Sequence, residues 1–325
     1  MQYLREGVSL LVKTLPFLWV RLGAYAIWGL VTLVYIAAVA GVAWLLGQLL
    51  GILAVIVLIG GLGGYIALSN WAGRYFFYLL KAAHVAVMTE ILLNGRIPEG
   101  QSQLNYGKAQ VMDRFKDTSI LFFVDQLVRG VVTSFNRRFA RFADALPIPG
   151  LQSLAKFAGV IVKFAVTYVD EAILSRSFAH REKNVWAVTK DGVLLYAQAW
   201  QPILKNAVAL TLISFLSFGV ALVILAIPGV AIGAMVPAIS TAVGVFVLVA
   251  AYVIKLSIGD TLAVAATIAA YTRETEGLTP NPEWEARLEQ VSDQFRQLKD
   301  RAVKGWQEEP AATPAGLEVE AAPET

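Results

Sequence analysis

Two long stretches of the chain contain no Asp, Glu, Lys or Arg: one lies between Arg21 and Arg74, the other between Lys205 and Lys255. Each is about fifty residues long, roughly twice the ~20 residues that a helix needs to cross ~30 Å of hydrocarbon. Backbone groups in lipid must be satisfied within the segment, so each stretch reads as a helical hairpin of two spans. The turns are predicted at Leu46-Gly47-Gln48 and Ile227-Pro228-Gly229, where Gly and Pro can break a helix. Only 16% of the residues are charged and 57% are hydrophobic, whereas soluble domains carry about 25% charge. A soluble particle of this size could not hide that much apolar surface, so lipid is its solvent over much of its length.

The expected fold is an all-α integral membrane protein with two pseudo-repeated helical hairpins. Glu6-Gly7-Val8 leads to Pro16, the first hairpin and a less apolar helix ending near Gly95. Asp191-Gly192-Val193 leads to Pro202, the second hairpin and a helix ending near Gly277. Corresponding points are offset by about 180 to 186 residues. Either the halves are related and share one orientation, or any two units of this kind look alike.

The joining segments Ser119–Phe135 and Phe157–Leu174 carry Asp125, Arg129, Lys163, Asp170 and Glu171. A charge at the centre of a span costs roughly 2.5–3.5 kcal/mol on insertion scales. The positive-inside rule therefore favours four firm spans, both termini cytoplasmic, in a plasma or bacterial inner membrane, with the central helical pair interfacial or partly embedded. Six spans is the alternative, and it would put Arg137, Arg138 and Arg141 outside. Residues 1–100 form the first repeat, 101–185 the central charged pair and 186–277 the second repeat. Residues 278–306 are a cytoplasmic amphipathic helix and 307–325 a disordered acidic tail.

Residues 1 to 21 hold Arg5, Glu6, Lys13 and Arg21 and run straight into a span, so no secretory signal is evident. Leu4, Val8, Leu11, Leu15 and Leu18 recur at helical spacing and predict a helix lying at the membrane interface. Gly60, Gly61, Gly63 and Gly64 in the second span suit close helix packing or a hinge. Asn281-Pro282-Glu283 is a helix start. Trp284, Leu288, Val291, Phe295, Leu298 and Ala302 then form one apolar seam, suited to docking on a partner, the body or the bilayer.

The chemistry is less legible. The chain has no cysteine, and His84 and His180 lie far apart, so no metal site is expected. Nucleotide-binding and hydrolase motifs are absent, and neither an enzyme nor a cofactor is expected. The net charge of +3 gives no footprint for nucleic acid. The expected partners are the bilayer and a second copy or another membrane protein.

Ionisable residues in apolar helices are the candidates for a substrate or ion path. Lys81 and His84 lie one turn apart; Asp125 and Arg129 are four apart and can pair; Lys163 and Asp170 share a face. Asp260 is the foremost, because apolar sequence flanks it and its one near charge is Lys255. Five residues turn about 140° around an α-helix, so Lys255 is a poor partner, and Lys81 or His84 of the first half is predicted instead. Each pair also fits plain snorkelling or pairing at the interface. Trp71, Tyr75 and Tyr78 recur at four and three and are expected to share a face. Trp186, Tyr196 and Trp200 decorate the helix before the second hairpin. Such rings fit either a quaternary-ammonium cage or an interface belt.

From Tyr75 to about Gly277 the order of features resembles the C-terminal part of the choline transporter-like protein family. Thr118-Ser119-Ile120-Leu121-Phe122-Phe123-Val124-Asp125-Gln126-Leu127-Val128-Arg129, running into Arg137-Arg138, is similar to its long apolar helix with a basic exit. Leu154-Ala155-Lys156-Phe157 through Tyr168 resembles the following helix, and Asp191-Gly192 to Lys205-Asn206 the amphipathic lead into its penultimate span. Asp260-Thr261, followed by Arg273-Glu274-Thr275-Glu276-Gly277, resembles its last helix and the charged run after it. Family members are longer, with more spans and a cysteine-bearing extracellular loop. The resemblance implies a helical membrane fold related to that half and, with the buried charges and the repeat, points to transport of a small polar or cationic solute. The two functions under test are a transporter for a small polar or cationic solute and a non-transporting scaffold or assembly factor.

Overall fold

The computed structural model describes residues 2–115, 118–139 and 155–304. Arg141 and the acidic tail expected over 307–325 lie outside the described residues. Within them every regular element is a helix.

The first half is α1 (Gln2–Lys13), α2 (Leu15–Gly47), α3 (Gly51–Ala72) and α4 (Tyr78–Asn94), with the π-turn Gly73–Phe77 between α3 and α4. The centre is α5 (Gln103–Phe115), α6 (Thr118–Phe139) and α7 (Ala155–Ala179). The second half is α8 (Val185–Gln198), α9 (Trp200–Met235), α10 (Ser240–Ile254) and α11 (Asp260–Glu274), with a second π-turn at Lys255–Gly259. The chain closes with α12 (Pro282–Val291) and α13 (Asp293–Lys304).

Among the described residues, four helical runs are long and apolar enough to cross a membrane: Leu15–Gly47, Gly51–Asn94, Trp200–Met235 and Pro237–Glu274. α5 and α6 meet the same test only if joined across an 82° bend, and α7 does not meet it, so the described residues hold at most five such runs, short of the six of the alternative reading. α2 and α3 form one hairpin, α9 and α10 the other, and α2 packs on α10. At that contact a Cβ on Gly29 would meet Val253 at 3.0 Å. α3 buries only Ala72, and Leu30, Ile59, Leu216 and Val230 are among many large apolar side chains left exposed. The core lies elsewhere, where the bases of the hairpins meet α1, α5 to α8, α12 and α13.

The first turn falls where the sequence predicts, between Gly47 and Gly51. The second does not. α9 runs through Pro228 to Met235, and the chain reverses at Val236 and Pro237–Ile239. Proline costs a helix one hydrogen bond but excludes helical backbone most strongly at the residue before it. Val236, extended at φ −133° and ψ 82°, obeys that bias ahead of Pro237. Gly229 serves packing instead, since a Cβ there would stand 2.9 Å from Val247.

α1 lays one face on the body and leaves the other open. It runs antiparallel along α11, with Gly7 against Ala266 and Tyr3 hydrogen-bonded to Glu274. Its buried residues are Gly7 and Leu10, while Val8 is exposed. The helix exits at Gly95 and Gly277 are as the sequence predicts; both adopt positive φ, 77° and 73°, the left-handed backbone that favours glycine. Asn281 caps α12, its side chain accepting from the Glu283 N–H. The C-terminal seam is broken at Ser292 into two helices that dock on α6 and α8, with Leu288, Phe295 and Leu298 fully buried.

Candidate functional site

α7 gathers the polar residues of the interior. Tyr168, Asp170 and Glu171 project from it towards three different helices, and its exposed Lys163 pairs with none of them. The expectation that Lys163 and Asp170 act together is therefore corrected: Asp170 is buried and faces α6.

Asp260 opens α11 beside the second π-turn. Lys255 Nζ lies 2.8 Å from its Oδ1 and 3.0 Å from Oδ2. Tyr168 and Ser214 both donate to Oδ1, at 2.6 and 2.5 Å. The predicted partner from the first half is thus wrong. The reason is helical winding: the Asp260 N–H donates to the Lys255 carbonyl, an i→i+5 bond. That wider turn returns residue 260 above residue 255, where an α-helix would leave them 140° apart. The Lys255 ammonium also lies 4.6 Å from the Phe164 ring centroid and 5.1 Å from that of Phe215. The two rings meet edge to face at 5.2 Å.

Lys81 and His84 serve other partners. Lys81 forms an ion pair with Glu171. Arg129 binds Asp170 at 2.9 Å and Asp125 at 3.3 Å, so the pairing read from the four-residue spacing is present. Arg21 Nη1 lies 3.4 Å from His84 Nδ1, and Phe17 stacks on the His84 ring at 4.5 Å. A guanidinium has no lone pair to offer, so this geometry assigns Nδ1 as the acceptor and the ring proton to Nε2. Arg21, Lys81 and Arg129 balance Asp125, Asp170 and Glu171, three charges against three.

The shared face expected for Trp71, Tyr75 and Tyr78 is corrected by the same winding effect. Trp71 and Tyr75 point outward, 60% and 53% exposed, whereas Tyr78 is buried at 8%. The π-turn Gly73–Phe77 inserts a residue between them and rotates Tyr78 away. Phe122 fills the space beside Tyr75 and Tyr78, 5.4 and 5.3 Å from their rings. Trp186 and Tyr196 are core residues, not a belt, and the Tyr196 hydroxyl donates to Asn136 at 3.0 Å.

At the end of the body remote from the hairpin tips, Arg181 and Tyr106 both donate to Glu90, at 2.6 and 2.5 Å. Burial, then the bond to Glu90, pushes the Tyr106 hydroxyl up to about 12, so it stays protonated. The C-terminal helices are fastened by Glu285, which meets Lys299 at 2.9 Å and Lys190 of α8 at 3.5 Å. Arg301 lies over Phe123 and Trp186, at 4.2 and 5.1 Å.

Among the described residues no three His, Asp or Glu side chains form a metal-holding group. A crevice of 360 Å³ between α9 and α10, lined by Gly229, Gly233, Ser240 and Val247 among others, is apolar and does not reach Asp260. Sequence reading missed Arg21, Phe164, Tyr168, Ser214 and Phe215. Only Arg21 carried a signal, as the charge that bounds the first uncharged stretch. No family model, curated protein or solved structure matches the chain.

Proposed function

We propose that the chain is a polytopic membrane protein that transports a small cationic solute, with Asp260 at the binding step. One observation carries the reading: a buried ammonium already sits between a carboxylate and two aromatic faces, at Asp260, Phe164 and Phe215. Carboxylates and ring faces are the chemistry that recognises organic cations. Ionisable groups placed in spans are costly and mark solute pathways, and π-turns concentrate at functional sites. Lys255 lies sixteen residues beyond Ile239 of the tip, about 24 Å along a helix, a length that suits a seat inside a ~30 Å hydrocarbon layer near its body-side face.

The two hairpins form the membrane part and the packed helical body faces water. The tips carry no charge, while Arg5, Lys13, Lys108 and Lys183 are exposed on the body, which supports a cytoplasmic body and cytoplasmic termini in a cell membrane. The matched π-turns, Gly73–Phe77 and Lys255–Gly259, support two related halves. Lys81, His84, Asp125 and Arg129 then act as the ion-paired frame that holds α7 against the spans.

Uptake of labelled amines into sealed vesicles containing the purified protein tests the reading. Asp260→Asn is expected to abolish uptake while the protein remains folded and inserted; uptake equal to wild type would overturn it. The scaffold reading is favoured by the full set of partners around Asp260. It expects no uptake of any amine by the wild type, and a lowered melting temperature as the sole effect of Asp260→Asn.

A further inference from the structure

We infer that Lys255 is a tethered occupant of the cation seat, so that the solute binds by displacing the protein's own ammonium. This rests on the reading of Asp260 as a cation site. Three observations on the seat lead to it.

The first is accessibility. Lys255 is 1% exposed, yet the Asp260 side chain is 16% exposed and both Phe164 and Phe215 are half-buried. The seat reaches the surface, whereas the lysine that fills it comes from within the wall.

The second is winding. Lys255 reaches Asp260 only through the i→i+5 turn. Rewinding that turn as α-helix carries the ammonium about 140° away from the carboxylate. The two windings differ by a whole residue, so they are discrete states and not points on a continuum. Movement falls on the lysine side, because α11 is packed tightly, with Thr261, Ala263, Val264, Ala265 and Ala266 at 0–1% exposure, while α10 buries only Val247 and Ala251.

The third is what stays behind. Tyr168 and Ser214 donate to Asp260 from α7 and α9, not from the π-turn. They keep the carboxylate hydrogen-bonded and in place when the lysine withdraws. The released side chain is long enough to carry its ammonium towards body-side water. An internal competitor lowers the apparent affinity for the solute by the fraction of molecules whose seat is free.

The test uses the full chain in detergent, with tetramethylammonium chloride as probe and sodium chloride at equal ionic strength as control. Acylation of lysines by a small amine-reactive reagent is followed by peptide mass spectrometry. Labelling of Lys255 is expected to rise at least ~3-fold with the probe, because its exposure follows the population with a displaced lysine, while exposed Lys163 is unchanged. A purely structural lysine predicts no rise. In parallel, Lys255→Met is expected to tighten probe binding by about tenfold or more, read from thermal shift, as removal of a competitor requires. Asp260→Asn abolishes that shift. An Asp260-dependent thermal shift on the wild type with no gain in Lys255 labelling overturns the displacement and leaves the cation site standing. No thermal shift on either the wild type or Lys255→Met overturns both. Should Lys255→Met fail to fold, the wild-type labelling decides alone.

Discussion

Lys255 and Asp260, five residues apart on one continuous helical run, form a bidentate ion pair at 2.8 and 3.0 Å because the π-turn between them superimposes positions that an α-helix would separate. The pair is almost wholly shielded on the lysine side, and Gly259 lets α9 come close to the π-turn: a Cβ there would lie 2.3 Å from Ser217 Oγ. A single local change of winding therefore fixes the charge balance at the base of the second hairpin.

Breaking this pair from one side should be costly. Lys255→Met leaves Asp260 with two hydroxyl donors and no cation, and Asp260→Asn leaves a buried ammonium. Removing one member of a buried pair costs about 3–5 kcal/mol. The double variant is expected to lose clearly less than the sum of the two single losses in denaturant melts. Additive losses would show that the two groups do not interact.

Gly7→Ala should separate α1 from α11. The new methyl would stand 2.5 Å from Ala266 Cβ and 2.8 Å from its Cα and N, and backbone cannot rotate aside. Overpacking of this kind costs about 1–3 kcal/mol. The expected result is a lowered melting temperature with the hairpins intact, checked by hydrogen exchange confined to α1 and its contacts on α11. Wild-type stability would refute the close approach.

The position of the second tip separates sequence from structure. Single cysteines introduced at Gln48 and Ala238 should react with an impermeant reagent in intact cells, and one at Gly229 should not. Cysteines at Gly100, Lys183 and Asp300 should react only after permeabilisation. Strong labelling at 229 would restore the turn at Pro228; labelling at 183 would reverse the orientation.

Docking of the C-terminal helices should weaken in acid. Glu285 is held below the usual carboxylate range, chiefly by the hydrogen bond from Lys299 and further by Lys190. A carboxyl with a lowered folded-state pKa stabilises the fold fully above its unfolded value, and that contribution fades as pH falls through the folded one. Protection of α12 and α13 from proteolysis should thus be constant near neutrality and decline below pH ~4.3, the ordinary value for Glu. Glu285→Gln should abolish that part of the pH dependence. A pH profile unchanged by the substitution would rule out this contact as its source.

The hairpins, the exits at Gly95 and Gly277 and the cap at Asn281 were legible in the sequence because each rests on local chemistry. An uncharged run of some fifty residues is long enough for two helices that satisfy their own backbone in lipid, and Gly or Asn at a helix end acts within one turn. The pairing of Asp125 with Arg129 is of the same kind, since i and i+4 meet on any α-helix. Tertiary structure alone decided that Pro237 and not Pro228 ends α9, that α1 lies along α11, and that Lys81 meets Glu171 while Asp260 keeps Lys255. It also decided that Tyr78 faces inward while Trp71 and Tyr75 do not. Periodicity assumes a uniform 100° per residue, and each π-turn adds one residue that rotates everything after it. Where such a turn forms is set by the packing of neighbouring helices, so which residues meet across Gly73–Phe77 and Lys255–Gly259 could not be read from spacing.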